Sequence, residues 1–463
     1  MASPFRNIVR LATGDLIAKA TSFLAFVYLA RILGVAEFGV LEFAGSVLAY
    51  VLLLGDGGLE MWGTREAANT ADLPALAGRI LPLRLLLASV SFVILLALLP
   101  LFPNYPRLRT VLAIYGLSAF AAAANLKWIF MGQQKMTVVA RGLVIGQVVF
   151  AAMVVIFVHN PVGMIWVPVF RLVGEVASAS YFALWFRRDY GFAGLRVSLQ
   201  KASAVLRPAL TIGMSLAMGL LNYNFDSVLL GFLRGPSVVG WYNAAYKLLL
   251  VGISVAVTYF AGLFPALSRA YVANREEFRH LVRSTVELWL MCIVPFVVAG
   301  TFLADPIVRF LYGSAYASAA APFRILLWSA ALVVLRWVYM DSLRATGHQN
   351  LDVRCAITSA TLNVGLNILL IPRFGMIGAA SATVFADLVW FVMSYYYFRR
   401  AVLADVPAPA WAGPLLGAGA MCIVLWFAHP LNWILQLLAG LTVYCLVQLQ
   451  FGGLARIKMV FRQ

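Results

Sequence analysis

Apolar runs of about 20 residues recur along nearly the whole chain, and an α-helix needs about that many residues to cross a bilayer. Hydrophobic residues make up 63% of the chain and charged residues 11%, whereas a soluble domain carries about 25% charged residues. The sequence therefore predicts an all-α polytopic membrane protein. We count about 14 spans, at 11–33, 39–62, 80–102, 110–131, 137–158, 164–186, 208–230, 241–264, 284–304, 323–344, 353–371, 375–398, 409–428 and 431–450.

Basic residues are unevenly distributed between the two sets of predicted loops. The set that includes both termini carries most of the Lys and Arg residues, among them Arg187, Arg188 and Arg275. The positive-inside rule makes this side cytoplasmic. We therefore expect a bacterial inner-membrane protein with both termini in the cytoplasm, whose first helix is a retained span rather than a signal peptide. Most of the net charge of +17 is then a topology signal, and we expect no nucleic-acid partner.

The sequence lacks the motifs of common enzymes and of ATP-driven transporters. It contains no GxxxxGK[ST] phosphate loop, no GxSxG elbow and no HExxH motif. The four histidines lie far apart, and the four cysteines fall inside predicted spans without metal-ligand spacing. No predicted outer loop is long enough to form a soluble catalytic domain. We expect a protein that is not an enzyme and that uses no metal or cofactor.

Short glycine-containing segments recur in the same order in the two halves of the chain. They follow spans one, four and five in the first half and spans seven, ten and eleven in the second. Parallel six-helix repeats predict a pseudo-two-fold axis along the membrane normal, with the substrate site between two lobes. The alternative is that glycine-bearing turns merely look alike. The matched residues are Gly34 with Gly235, Gly39 with Gly240, Gly132 with Gly347, and Gly163 with Gly375.

The repeat predicts four parts of the chain. Residues 1–186 form a six-helix lobe, and residues 187–207 form a cytoplasmic linker. Residues 208–400 form the second six-helix lobe. Residues 401–463 add two transmembrane helices and a cytoplasmic tail, which fall outside the repeat.

Charged residues inside spans are the candidates for function, because a charge at the bilayer centre costs about 2.5–3.5 kcal/mol. Three acid–base pairs lie one helical turn apart and are candidates for ion pairs or ion coupling. Other cations have no acid one turn away and are candidates for binding an anionic substrate. The pairs are Asp15 with Lys19, Arg171 with Glu175, and Asp341 with Arg344, and the second group comprises Lys127, Arg141, Lys247 and Arg336.

The remaining charges inside spans leave more than one interpretation open. Asn222 and Asp226 make the middle of the seventh span unusually polar, which suits sugar hydroxyls or a cation, or else a helix–helix hydrogen bond. Asp387 is a further acid that we consider for ion coupling. Arg31 and Arg84 lie nearer to span ends, where an arginine can extend to the interface instead of binding a ligand.

The stretches "ARILGVAEFG" and "LLLGDGGLEMWGTREAA" resemble the start of polysaccharide exporters of the Wzx type. The matching residues are Arg31, Leu33, Gly34, Phe38 and Gly39, followed by Asp56, Gly58 and Arg65. "IPRFGMIGAASAT" at 371–383 also resembles a stretch common in that superfamily. The likeness in length and span count extends over nearly the whole chain.

This resemblance implies two six-helix lobes around a central cationic cavity, as in multidrug exporters and lipid II flippases. It implies the transfer of an undecaprenyl-diphosphate-linked oligosaccharide to the outer face, with Lys19 among the residues that bind the diphosphate. Lipid II flippases carry a further Arg in the second span, and here no cation lies between Gly39 and Trp62. That difference disfavours the peptidoglycan precursor as the substrate.

Further expectations concern partners and rival functions. The partners are the lipid-linked glycan and membrane lipid, with a polysaccharide polymerase and glycosyltransferases as further candidates, and we expect a monomer. One rival is a cation-coupled exporter of drugs or metabolites, which would favour an acidic, aromatic cavity. The other is a membrane-embedded polysaccharide polymerase or ligase, which would normally need a substantial outer loop.

Overall fold

The computed structural model describes residues 4–191, 202–402, 411–429 and 432–451, and within these residues the regular secondary structure is entirely helical. The chain divides into two compact units, Met1–Asn243 and Ala244–Gln463. The predicted linker at 187–207 lies partly outside the described residues, so the predicted lobe boundaries stay predictions. The helices of the first unit are α1 Pro4–Asp56, α2 Leu59–Asn69, α3 Leu73–Leu98, α4 Leu108–Gly116, α5 Ser118–Ala124, α6 Lys127–Gly132, α7 Met136–Phe157, α8 Val167–Tyr190 and α9 Ala202–Leu233.

The helix α10, Pro236–Ala273, begins in the first unit and continues into the second. Short 3-10 helices precede α4, α8 and α13, at Leu99–Leu101, Pro161–Trp166 and Ser314–Ala319. The remaining helices are α11 Arg275–Phe302, α12 Ala304–Tyr312, α13 Ala320–Ala345, α14 Gln349–Ala401, α15 Ala412–Phe427 and α16 Trp433–Gln450.

Nine helical segments of the described chain are long and apolar enough to cross a membrane. Helical spans satisfy every backbone hydrogen bond within the segment, which hydrocarbon requires. Two of the helices, α1 and α14, are each 53 residues long and contain a non-helical glycine, Gly34 in α1 and Gly375 in α14. These glycines lie where the sequence predicts one span to end or the next to begin. The prediction of an all-α membrane protein is confirmed, and the number of 14 spans stays a prediction.

Two of the predicted spans are broken by polar residues. The span predicted at 39–62 stops at Asp56, because Gly57 and Gly58 have positive φ angles of 57° and 85°. The Asp56 carboxylate then accepts hydrogen bonds from the backbone N–H of Gly58, at 3.1 Å, and of Glu60, at 3.2 Å, and so caps α2. The span predicted at 110–131 is divided into α4, α5 and α6.

Aromatic packing and close helix contacts stabilise the first unit. Trp128, Phe130, Phe182 and Phe186 are fully buried in its core. The rings of Phe130 and Phe182 stack with their centroids 5.8 Å apart, which joins α6 to α8. Small residues let membrane helices approach closely, and a Cβ added at Gly146 of α7 would lie 3.1 Å from the carbonyl oxygen of Gly174 in α8.

The last two helices pack against each other within the second unit. A Cβ added at Gly417 of α15 would lie 2.9 Å from the ring of Tyr444 in α16. The Tyr444 hydroxyl donates a 3.0 Å hydrogen bond to the carbonyl oxygen of Met291, and this bond attaches α16 to α11. The two helices outside the predicted repeat are therefore a packed part of the second unit.

Two of the glycine-containing turns in the first half of the chain have backbone geometry similar to that of the matched turns in the second half. Gly34 and Gly235 both have positive φ angles, of 75° and 91°. The turns after α6 and α13 share one backbone hydrogen-bond pattern, and their left-handed residues are Gln134 and Gly347. The sequence matched Gly347 to Gly132 instead, so the register at that turn is corrected by two residues. The repeat of whole lobes stays a prediction.

Candidate functional site

A polar cavity of about 330 Å³ lies within the first unit, between membrane-spanning helices. Residues of α1, α2, α7 and α8 line it together with the α5–α6 connection. Polar groups inside a membrane are costly and mark functional sites. The polar lining consists of Ser22, Glu60, Asn125, Lys127, Gln147, Arg171, Glu175 and Ser178, and the rings of Phe26 and Phe150 complete it with small residues and Leu143.

One wall of the polar cavity contains Glu60 and Lys127, which belong to a charge cluster with Asp56 and Arg84. The Arg84 side chain is only 2% exposed, and its Nε lies 3.0 Å from Asp56 Oδ1. A second nitrogen, Arg84 Nη2, lies 3.4 Å from Glu60 Oε2. Lys127 Nζ lies 2.7 Å from Glu60 Oε1, so the carboxylate of Glu60 joins the arginine to the lysine.

The breaks in the helices position this cluster. Arg84 Nη1 donates a 2.9 Å hydrogen bond to the backbone carbonyl of Asn125, in the break between α5 and α6. The Asn125 side chain accepts a 2.9 Å hydrogen bond from the backbone N–H of Lys127 and thereby orients the first turn of α6. A continuous helix would not expose these backbone groups, because they would be used within it.

The opposite wall is the pair of Arg171 and Glu175 on α8. Arg171 Nε lies 3.1 Å from Glu175 Oε1, and the guanidinium lies 5.9 Å from the centroid of the Tyr115 ring. The second carboxylate oxygen, Glu175 Oε2, is buried and has no hydrogen-bond partner among the described residues. This oxygen is a hydrogen-bond acceptor with unused capacity on a residue that lines the cavity.

The charges that line the polar cavity balance each other. Two cations, Lys127 and Arg171, face two acids, Glu60 and Glu175. A buried charge is tolerated only when it is paired and hydrogen-bonded. The sequence predicts a cationic cavity between two lobes, whereas this cavity lies inside the first unit and is charge-balanced.

A second cavity of about 580 Å³ adjoins the same charge cluster within the first unit. Asp56 and Glu60 are its only charged lining residues among those described. Most of its wall is apolar and comes from α1, α2 and α9, with Leu52, Met61 and Leu216 among the residues. Because both cavities contain Glu60, this residue lies at the boundary between a polar compartment and a largely apolar one.

Two further predicted cations of the first unit are accessible. Lys19 Nζ lies 2.6 Å from Asp15 Oδ2, and the two side chains are 48% and 41% exposed. Arg141 on α7 is exposed and interacts electrostatically with Tyr181. A Cβ added at Gly14 would contact the Cβ of Ala140 at 2.5 Å, so α1 and α7 approach closely just before Asp15 and Arg141 in the sequence.

In the second unit Arg336 is buried and paired with Asp387. Its Nη1 lies 3.0 Å from Asp387 Oδ1, both side chains are 1% exposed, and the guanidinium lies 3.6 Å from the ring centroid of Trp390. Ser329 donates a 2.5 Å hydrogen bond to the same carboxylate. Arg336 and Lys127 have no acid one turn away, and the acids that pair with them come from other helices and are distant in sequence. Their role in substrate binding stays a prediction.

Three other predicted residues also lie in the second unit, namely Asp341, Arg344 and Lys247. Arg344 lies 3.7 Å from Asp341 and 2.7 Å from Asp352, so it bridges α13 and α14 as well as pairing within its own helix. Lys247 lies half-buried in α10.

The polar segment of α9 forms helix–helix hydrogen bonds. Asp226 is 1% exposed and accepts a hydrogen bond from the Tyr242 hydroxyl in α10. Ser227 and Asn243 form a second such contact, with Asn243 Nδ2 3.2 Å from Ser227 Oγ. Asn222 is 3% exposed, and its Oδ1 is buried without a hydrogen-bond partner among the described residues. Of the two interpretations of this segment, the structure supports the helix–helix contact at Asp226.

The first hairpin, which is the turn at Gly34 in α1 with residues 35–39 after it, packs closely against the second hairpin, residues 235–240 at the start of α10. A Cβ added at Gly39 would overlap the carbonyl oxygen of Pro236, and one added at Gly240 would overlap the carbonyl oxygen of Val35. Each glycine therefore permits contact with the backbone that precedes the other glycine. These are the two hairpins that the sequence matches to each other.

Sequence reasoning missed Asp56, Glu60 and Arg84 as parts of one site. A signal was present, because Asp56 interrupts a predicted span with two glycines and Glu60 follows four residues later. The partner of these acids, Arg84, is distant in sequence, and spacing along one helix does not indicate such contacts.

The fold is that of a multi-pass helical membrane protein. It matches a solved structure of a lipid II flippase, MurJ, in an inward closed conformation, with a TM-score of 0.82 at 14% identity, over 96% of this chain and 99% of that one. At such identity the likeness concerns the fold.

The family described as "Polysaccharide biosynthesis protein" matches residues 5–271, and the chain belongs to this family. The resemblance inferred from the motifs is thereby confirmed. A second family, described as MatE, matches residues 211–369.

Two relatives illustrate the family. A putative O-antigen transporter of Escherichia coli K12 is 22% identical over 81% of this chain and 92% of its own length. A probable flippase of Haloferax volcanii, AglR, is 26% identical over 50% of this chain. The matched part spans about half of that flippase, 51% of its length.

Proposed function

We propose that this protein is a flippase that moves an undecaprenyl-diphosphate-linked oligosaccharide across the bacterial inner membrane during O-antigen or exopolysaccharide synthesis. Family membership supports the proposal, as do relatives named as a flippase and an O-antigen transporter. We propose a transporter rather than an enzyme for the same reason. The proposal includes cytoplasmic termini, a monomeric state and membrane lipid as a partner, with a polysaccharide polymerase and glycosyltransferases acting alongside it.

The observation that carries the proposal is the pair of adjoining cavities in the first unit. One is lined by charged and amide side chains and the other mainly by apolar ones, with Glu60 shared between them. A lipid-linked glycan has both characters, since a polar head is joined to a hydrocarbon tail. A polar cavity enclosed by membrane-spanning helices offsets the cost of removing such a head from water.

Accessible cations are the proposed contacts of the diphosphate. Lys19 and Arg141 combine positive charge with exposure, and a guanidinium matches phosphate oxygens in geometry. We retain Lys247 as the third candidate. Arg336 is too deeply buried to contact a substrate in this conformation.

The test is surface glycan export in a bacterial strain that lacks its own flippase. We expect that Lys19→Ala, Arg141→Ala and Lys247→Ala each abolish export while the amount of protein in the membrane stays normal. The controls are Arg187→Ala and Arg188→Ala at the end of α8, where Arg188 lies 4.9 Å from the Trp185 ring centroid. Full export by all three variants would refute the proposed diphosphate contacts.

A cation-coupled exporter of small molecules is the second candidate, and the match of residues 211–369 to the MatE family favours it. Such a protein would restore resistance to cationic dyes in a strain lacking drug exporters and would leave surface glycan absent in the flippase-deficient strain. The same pair of strains therefore separates the two candidates.

A further inference from the structure

The cations of the polar cavity already have their anions. Lys127 lies 2.7 Å from Glu60, and Arg171 lies 3.1 Å from Glu175. A phosphate that bound either cation would leave the carboxylate of Glu60 or Glu175 uncompensated among packed helices, which is destabilising, whereas the Asp15 carboxylate beside Lys19 is 41% exposed and keeps contact with water. The cavity is therefore a poor site for the diphosphate of the substrate.

Among the charged residues that line the cavity, Glu175 carries an acceptor that is not used in a hydrogen bond. Glu175 Oε2 is buried and has no partner among the described residues. A sugar hydroxyl can donate a hydrogen bond to this oxygen, whereas an ionised phosphate offers only acceptors. A buried acceptor without a donor is costly, so the site favours a ligand that brings one.

The rest of the lining suits an uncharged sugar. The Gln147 amide and the hydroxyls of Ser22 and Ser178 can each donate and accept hydrogen bonds. The rings of Phe26 and Phe150, with centroids 6.2 Å apart, provide an apolar surface for the C–H face of a sugar ring. The volume of about 330 Å³ is at the small end of ligand pockets, so the cavity would hold one end of a glycan.

We infer that the polar cavity is a subsite for the sugar hydroxyls of the glycan, with Glu175 Oε2 accepting a hydrogen bond from one of them, and that it does not hold the diphosphate. This inference rests on the proposed function, because it assigns one part of the proposed substrate to one part of the protein. Gln147 on α7 lines the same cavity as Glu175 on α8 and contributes further hydrogen bonds.

The variant Glu175→Gln separates the two ligand classes by sign. Arg171 needs an acceptor, so the glutamine keeps its oxygen toward Arg171 and places its NH₂ group where Oε2 stands. A phosphate gains a donor there, whereas a sugar hydroxyl that donated to Oε2 must turn to accept from a neutral NH₂ group and loses a charge-assisted hydrogen bond. We expect sugar binding to weaken, whereas a phosphate site would bind its ligand more tightly.

The experiment measures binding to the full chain in lipid nanodiscs by isothermal titration calorimetry. The probes are farnesyl diphosphate and farnesyl diphosphate carrying one N-acetylglucosamine. We expect Glu175→Gln to weaken binding of the sugar-bearing probe by roughly threefold to tenfold, as for loss of a charge-assisted hydrogen bond, and to change farnesyl diphosphate binding less than twofold. Gln147→Leu leaves the charge unchanged and should also weaken only the sugar-bearing probe.

Glu287→Gln is the matched control, since Glu287 pairs with Arg283 at the same i,i+4 spacing, at 2.9 Å, in the second unit. It should leave both probes unaffected. Tighter binding of farnesyl diphosphate to Glu175→Gln, or equal effects on both probes, would overturn the sugar subsite. If the unmodified protein binds neither probe, the proposed function fails and the inference with it. If the unmodified protein binds both probes, and neither Glu175→Gln nor Gln147→Leu changes the binding of either probe, only the inference fails.

Discussion

The close contact between the first hairpin and the start of α10 can be tested by adding one methyl group. In the variant Gly39→Ala, the new Cβ would overlap the carbonyl oxygen of Pro236 and lie 2.6 Å from the Pro236 carbonyl carbon and 3.0 Å from the Gly240 backbone nitrogen. These atoms belong to the backbone, so no side-chain rotation relieves the overlap. The two segments must move apart.

The size of the effect follows from the overlap alone. Overpacking of this kind costs about 1–3 kcal/mol, while the preference of a helix for alanine over glycine acts equally in both states and cancels. The closed contact should therefore lose about 1–3 kcal/mol relative to a state in which the segments are separate. Such a change lowers the ratio of closed to separate molecules roughly 5- to 150-fold.

Disulfide formation between Ala36→Cys and Ser237→Cys reports this contact, because a disulfide requires Cα atoms within about 7 Å. The four native cysteines are replaced by serine. We expect the bond to form in the parent, to stop export and to be reversed by reductant, since rigid-body alternating access requires these segments to separate. Adding Gly39→Ala lowers the ratio of closed to separate molecules and should slow crosslinking, by at most this roughly 5- to 150-fold change.

Gly45→Ala is the matched control in the same helix, because a Cβ at Gly45 would have no atom within 4 Å. It should leave the crosslinking rate unchanged. Equal rates in Gly39→Ala and Gly45→Ala would refute the steric reasoning. A disulfide that forms fully while export continues would refute the requirement that the segments separate. If the first pair fails to crosslink, neighbouring pairs such as Glu37→Cys with Val238→Cys test whether poor orientation of that pair is the reason.

Three more predictions concern stability and topology. Asp387→Asn leaves Arg336 buried without its anion, so the free energy of unfolding in detergent should fall by about 3–5 kcal/mol; a melting temperature equal to the parent's would contradict the buried ion pair. Asp56→Ala removes the cap of α2 and should cost about 0.5–2 kcal/mol from the cap alone, measured by the same melts, with Asp56→Asn retaining part of the stability. In intact cells a membrane-impermeant thiol reagent should label Ser314→Cys and not Arg275→Cys, and the reverse pattern would show that the orientation is inverted.

The elements that the sequence predicted correctly are those that depend on local composition. The apolar runs required membrane helices, because hydrocarbon leaves no alternative for about 20 apolar residues. The motifs around Gly34 and Asp56 indicated the family. The acid–base pairs one helical turn apart, such as Arg171 with Glu175, are also seen as contacts, since the helix itself places i and i+4 side chains side by side.

The site was determined by tertiary structure. Lys127 and Arg336 lack an acid on their own helical face, and their partners Glu60 and Asp387 lie 67 and 51 residues away in sequence. Inside a membrane an unpaired charge is so costly that folding brings together opposite charges from different helices. The sequence alone therefore determined that this chain is a helical membrane protein with charges in its spans, and only the packing of those helices decided which charges are neutralised and which cavity they line.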